Sequence, residues 1–190
     1  AILTTNQDAP QYVTALHAQI EVAQTILSGL GYTGVHLSLI QAQTAEQLDT
    51  GLSTIQAGQV PQQRALFNTA ADKRSTLDLA IDHLKTHAPQ KVEQIVLPAG
   101  ALYGMVMVNK ETCTLCMSCV GACPESALTD NANMPQLRFI EKNCVQCGLC
   151  EKTCPENAIT LAPRLLLTDA AKQPVVLNEA EPFHCICLLY

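Results

Sequence analysis

The sequence has no Trp, and aromatic residues make up only 4% of it. Aromatic stacking cannot build its core, so Leu, Ile, Val and Ala must carry the burial. Positive charge is also scarce: 11 Lys+Arg stand against 17 Asp+Glu, for a formal net charge of −6. Nucleic-acid binding draws on Lys and Arg to neutralise phosphates, so no nucleic-acid partner is expected. An acidic chain suits docking onto basic patches of other proteins. No run approaches the roughly 18 apolar residues of a membrane span, and no basic-then-apolar signal peptide opens the chain. Neither a Ser/His/Asp constellation nor a phosphate-binding P-loop is present. The chain begins Ala1-Ile2-Leu3-Thr4-Thr5 without Met, which leads us to expect a processed chain or a piece of a longer one. Cysteine is missing from the first hundred residues.

That Cys-free part reads as alternating elements. Ala1 to Thr5 is a strand candidate, and Asp8-Ala9-Pro10 a helix start with Asp8 as candidate N-cap. Val13, Leu16, Ile20, Ala23, Leu27 and Leu30 fall three and four apart, on one face of a helix that Gly29 and Gly31 end. Val35 to Ile40 predicts a strand. Thr44 with Gln47 predicts a capping box, opening a helix to Ala57. Gly58 to Thr69 predicts a loop. Ser75 with Asp78 predicts a second box, opening a helix that stops before Pro89, and Val92 to Leu97 a strand closed by Pro98. The order β-α-β-α-α-β predicts a small α/β domain with a mostly parallel sheet over residues 1–98. Gly29-Leu30-Gly31-Tyr32-Thr33-Gly34 matches G-x-G-x-x-G to the letter, but a dinucleotide loop needs a strand before it and a helix after it. Here the order is reversed, so a helix stop and turn are expected. His83 and His87, four apart on a helix, predict a solvated face, since no metalloprotease Glu stands between them.

The rest of the chain is dominated by cysteine: ten in 190 residues, eight of them in two tight groups. Cys113-x-x-Cys116-x-x-Cys119-x-x-x-Cys123-Pro124 is repeated as Cys144-x-x-Cys147-x-x-Cys150-x-x-x-Cys154-Pro155. A disulfide scaffold spreads its cysteines, and structural zinc takes four ligands as two separated pairs. Three thiolates at this spacing let one loop curl around a cubane, and the fourth Cys of the motif ligates the other cluster. The candidate ligand sets are therefore Cys113, Cys116, Cys119 and Cys154 for one [4Fe–4S] cluster, and Cys144, Cys147, Cys150 and Cys123 for a second. The repeat runs on: Pro-Glu-Ser-Ala-Leu-Thr follows Cys123 and Pro-Glu-Asn-Ala-Ile-Thr follows Cys154. Each half reads strand, loop, short helix, strand.

From about Tyr103 to Ala162 these residues resemble the bacterial two-[4Fe–4S] ferredoxins. The resemblance implies a ferredoxin-like module over 101–162 and one-electron transfer at low potential. Gly148 fits the family, whereas Met117 stands at the matching place of the first loop, and Asp130 to Leu137 is long for the family. Eight thiolates and two oxidised cores would take the chain to about −10. The whole chain is also similar to the C-terminal part of larger 4Fe–4S-binding proteins associated with formate dehydrogenase, and its first part to hydrogenase delta-subunit-like domains.

The expected fold class is thus α+β: a small α/β docking domain, a two-cluster module, and an extension over 163–190. Near the end, His184, Cys185 and Cys187 lack a fourth ligand, and two plain thiols are expected there. The leading functional expectation is a cytoplasmic electron relay between a redox enzyme, of the formate dehydrogenase or hydrogenase kind, and a carrier. A redox enzyme subunit whose first domain binds a substrate or flavin, and an assembly protein stapled by its clusters, are the alternatives.

Overall fold

A computed structural model describes residues 2–4 and 9–182. Asp8, His184, Cys185 and Cys187 lie outside these residues. The chain divides into two compact units, Ala1–Pro98 and Ala99–Tyr190.

In the first unit, α1 (Pro10–Gly29) begins with Pro10 at its first turn and Ala9 as N-cap. Pro suits this place because its missing N–H would be unpaired there anyway. Residues Val13, Leu16, Ile20, Ala23 and Leu27 are half-buried, as their spacing predicts, while the deep contacts come at the C-terminal end through Ile26 and Leu30. Gly29 lies so close to Ile95 that a Cβ would stand 2.8 Å from that side chain. Gly31 then turns the chain at φ +87. Here G-x-G-x-x-G is a helix stop, and a strand follows it.

Strand β1 (Ile2–Thr4) pairs in parallel with β2 (Leu39–Gln41), Ile2 opposite Leu39. The pairing is parallel, as the alternation predicts, but it joins two strands of three residues, which is less than the layered parallel sheet expected. α2 (Ala45–Ser53) carries the expected cap: Thr44 accepts from the Gln47 N–H, and Gln47 reaches back to the Gln43 N–H. It ends four residues short of Ala57. α3 (Lys73–Thr86) starts earlier than expected. Its cap is Asp72, which accepts from the Ser75 N–H at 2.8 Å, while Asp78 pairs with Arg74 one turn away. Tyr32 donates its hydroxyl to the Leu84 carbonyl and ties the end of α1 to α3. The rings of His83 and His87 lie 4.7 Å apart on a partly exposed face, and His83 Nε2 sits 3.1 Å from the Gln63 carbonyl of the preceding loop. A short strand, β3 (Gln94–Val96), closes the unit.

In the second unit each half follows the expected order. β4 (Gly104–Val108), a cysteine loop, α4 (Ser118–Gly121) and β5 (Leu128–Thr129) form the first half. β6 (Gln136–Phe139), a cysteine loop, α5 (Leu149–Thr153) and β7 (Ile159–Leu166) form the second. The strands pair across the halves: β4 lies antiparallel to β7, and β5 to β6. Loop hydrogen bonds repeat this exchange, Asn109 N–H to the Ala158 carbonyl and Ile140 N–H to the Ala127 carbonyl, both at 2.8 Å. β7 runs on past residue 162, and β8 (Val175–Glu179) adds to β6 antiparallel. The segment after 162 is thus part of the sheets. Val106, Leu128, Leu137, Phe139 and Ile159 form the core together with Cys119 and Cys144. Among the described residues, no helix is long and apolar enough to cross a membrane.

Candidate metal centres

Two cysteine loops need tight reversals, and the backbone supplies them at equivalent places. Leu115 and Gln146 have φ 57 and 53, Met117 and Gly148 have 60 and 76, and Ser126 and Asn157 have 50 and 49. Each pair is related by the repeat. Left-handed backbone is costly for a residue with a Cβ, so its recurrence at three paired positions shows that the loop path itself is required. It curls the chain so that successive thiols face inward.

The eight thiols stand around two cavities. Cys113, Cys116, Cys119 and Cys154 line one. Cys123, Cys144, Cys147 and Cys150 line another. Each cavity takes three thiols from its own loop and the fourth from the other half. The remaining walls are mostly apolar, with Leu137 and Ile159 in the first and Val106, Leu128, Phe139 and Leu161 in the second, though Thr114, Ser118 and Glu156 also line the first, and Glu125 and Gln146 the second. Among the described residues, no three His, Cys, Asp or Glu side chains converge on a position for a single metal ion. Tetrahedral zinc needs its sulfurs about 2.3 Å from one point, whereas a cubane fills a cage with sulfurs at the corners. The donor chemistry and the mostly apolar walls therefore fit an iron–sulfur cluster.

Burial acts on the thiols before any metal does. It pushes Cys119 and Cys144 up, and Cys150 to about 11. Cys116 is lowered instead, because Ser118 hydrogen-bonds it; the Sγ–Oγ distance is 3.4 Å. Cysteine ligates metal as thiolate, so a cluster held by these residues would release the protons of the buried thiols on binding.

Donors to sulfur come largely from the backbone. Ala127 N–H donates to Cys123 Sγ and Ala158 N–H to Cys154 Sγ, both at 3.3 Å. Several supporting residues escape the motif reading. Gln146 donates from Nε2 to Cys144 Sγ at 3.4 Å and to the Met105 carbonyl at 3.3 Å. Glu141, just before the second loop, holds Arg164 of β7 through two bonds of 2.9 and 2.7 Å. Buried Asn178 of β8 donates to the Cys113 carbonyl at 3.3 Å. Aligning the repeats exposes Gln146, a polar residue where the first loop has Leu115. Nothing in the sequence marks Asn178, whose partner is far away along the chain.

Against known families, residues 112–159 match the 4Fe-4S dicluster domain. The match covers about a quarter of the chain and all eight clustered cysteines. It supports a ferredoxin-type domain that binds 4Fe–4S clusters. Comparison with curated proteins yields no match.

Proposed function

We propose that this chain relays single electrons through two [4Fe–4S] clusters, one ligated by Cys113, Cys116, Cys119 and Cys154, the other by Cys123, Cys144, Cys147 and Cys150. The observation that carries the reading is the sorting of eight thiols, all within the residues matched by the dicluster family, into two four-thiol cavities with mostly apolar walls. A bound [4Fe–4S] cluster supplies one-electron redox chemistry at a potential tuned by its surroundings. The protein does the rest. Its core holds the loops, its N–H groups face the sulfurs, and one thiol of each set, Cys116 and Cys147, is exposed toward an outside partner.

In this reading the first unit, an α/β domain, selects the partner, and a redox enzyme of the formate dehydrogenase or hydrogenase kind is the partner class that the resemblance implies. A reducing compartment such as the cytoplasm suits so many free thiols. The rival reading, a flavin- or substrate-binding first unit, draws on an open groove between β2 and α2. Glu46 is the ionised side chain on its walls, which offers no cation to a flavin phosphate. The relay reading is therefore the stronger.

Reconstituted protein should bind about eight iron atoms per chain, four per cluster, and give [4Fe–4S] EPR signals on reduction. A protein that binds zinc in place of iron, or clusters that no reductant reaches, would refute the relay. Cys123→Ser should disturb the cluster of the second loop and spare that of the first, and the reverse pattern would refute the ligand exchange.

A further inference from the structure

The two cysteine cages are matched in most of what governs a reduction potential. Each has one buried thiol (Cys119 or Cys144), one exposed thiol (Cys116 or Cys147) and two between. Each receives one backbone N–H on the thiol that crosses over, at the same 3.3 Å. Exposure and these backbone donors, two usual levers on potential, do not separate the sites.

Side chains do. Gln146 and Leu115 occupy the same place in the two loops and share left-handed backbone. Gln146 Nε2 spends one N–H on the Met105 carbonyl and aims the other at Cys144 Sγ. The Met105 carbonyl fixes that orientation, because the flipped amide would set two oxygens against each other. The Gln146 backbone N–H adds a longer contact of 3.5 Å to the same sulfur. The Leu115 side chain has no polar atom to offer Cys113.

The first cage has its counterweights on Cys116, where Ser118 stands at 3.4 Å and Thr114 and the Ser118 backbone also hydrogen-bond the sulfur, while the Val120 backbone on Cys119 is matched by that of Glu151 on Cys150. Cys116 is exposed, and water already solvates its sulfur, so a hydroxyl there replaces one hydrogen bond with another. Cys144 is 8% exposed. A dipole aimed at charge acts more strongly where the surroundings are less polarisable, so the buried donor dominates. A donor to sulfur stabilises the extra negative charge of the reduced state and raises the potential.

Resting on the electron-transfer reading above, we infer that Gln146, through its side-chain N–H on Cys144, makes the cage of the second loop the higher-potential site of the two. Gln146 is a positioning residue: it ligates nothing and acts through the sulfur. It gives the module a direction, with the downhill step running from the side of Cys116 to the side of Cys147.

The test is an EPR-monitored redox titration of the reconstituted full chain. Gln146→Met keeps the length and shape of the side chain and removes the N–H. The upper of two one-electron steps should fall, changing the electron's distribution between the sites about tenfold, or about 59 mV for one electron, while Ser118→Ala leaves the order intact. Leu115→Gln, read in the same way, should raise the lower step, and it serves if the first variant takes up no iron. Unshifted steps, or a shift of the lower step in Gln146→Met, overturn the inference and leave the relay standing. A wild-type chain with no reducible cluster overturns both.

Discussion

Met117 and Gly148 stand at the same place in the two cysteine loops and share one backbone conformation: φ 60, ψ 12 for Met117 and φ 76, ψ 2 for Gly148. One half therefore meets the demand with a glycine, and the other bears the strain with a side chain packed beside the core.

Gly148→Ala should be folded and modestly weakened. The new Cβ would meet only Leu161 Cδ1, at 3.8 Å, so the cost is conformational and about 1 kcal/mol. For a unit of this size that lowers the apparent melting temperature by about 4–8 °C. Met117→Gly should come out near neutral, as relief of strain offsets lost packing. Thermal melts of the iron-loaded variants decide, and a Gly148→Ala protein as stable as its parent would show that the loop does not need this glycine.

Gly104→Ala is the harsher change. Its Cβ would stand 2.6 Å from the Ala162 carbonyl oxygen and 2.6 Å from Gln146 Cδ. The carbonyl belongs to the facing strand and cannot swing away. Overpacking of this kind costs about 1–3 kcal/mol, and it pushes directly on the side chain that reaches Cys144. Faster cluster loss to a chelator, at unchanged iron content after reconstitution, is the expected result.

Glu141→Ala removes the partner of an Arg164 side chain that is 25% exposed. The two hydrogen bonds to a charged group account for about 1–3 kcal/mol, toward the low end because water reaches the guanidinium. Glu141→Gln should recover part of the loss. Adding Arg164→Met to Glu141→Ala should cost less than the sum of the two single changes, and additive effects in urea melts would mean that the pair contributes nothing.

Iron removal should unfold the second unit locally. Chelation of the reduced protein should release the amide protection of Ala127, Ala158, Asn109 and Ile140, all of which bond across the cysteine loops or onto their sulfurs. The interior of α1, which carries no cysteine, should keep its protection. Hydrogen exchange read residue by residue separates this from a cluster bound on an already rigid scaffold, where all these amides stay protected.

What was legible in the sequence was mostly local. Cysteine spacing is local, and it pointed to the grouping in which Cys154 lines the first cavity and Cys123 the second. The cap at Thr44 and Gln47 was legible for the same reason. At α3 two overlapping patterns compete, Asp72 with Ser75 and Ser75 with Asp78, and the earlier one forms, Asp72 accepting from the Ser75 N–H while Asp78 lies inside the helix near Arg74. The strand alternation of the first unit pointed to a parallel sheet, yet periodicity says nothing about how many strands find partners, and β1 and β2 pair over three residues. β8 was out of reach altogether. Its register against β6 and the bond from Asn178 to Cys113 join segments that only the folded chain brings together.

The exchanged strands and the swapped loop bonds of the second unit carry one more consequence. Each repeat is completed by its neighbour's strand and its neighbour's thiol, which is the wiring of two half-size molecules clasped as a dimer. The covalent join between them, from Asp130 to Pro135, then acts as a tether. Asn131 braces it through its side chain to Gln136 and to the Asn133 N–H, and no cysteine lies on it. Insertions, a protease site or new chain ends are best accommodated there, where the two halves could be cut apart and still be held by the iron.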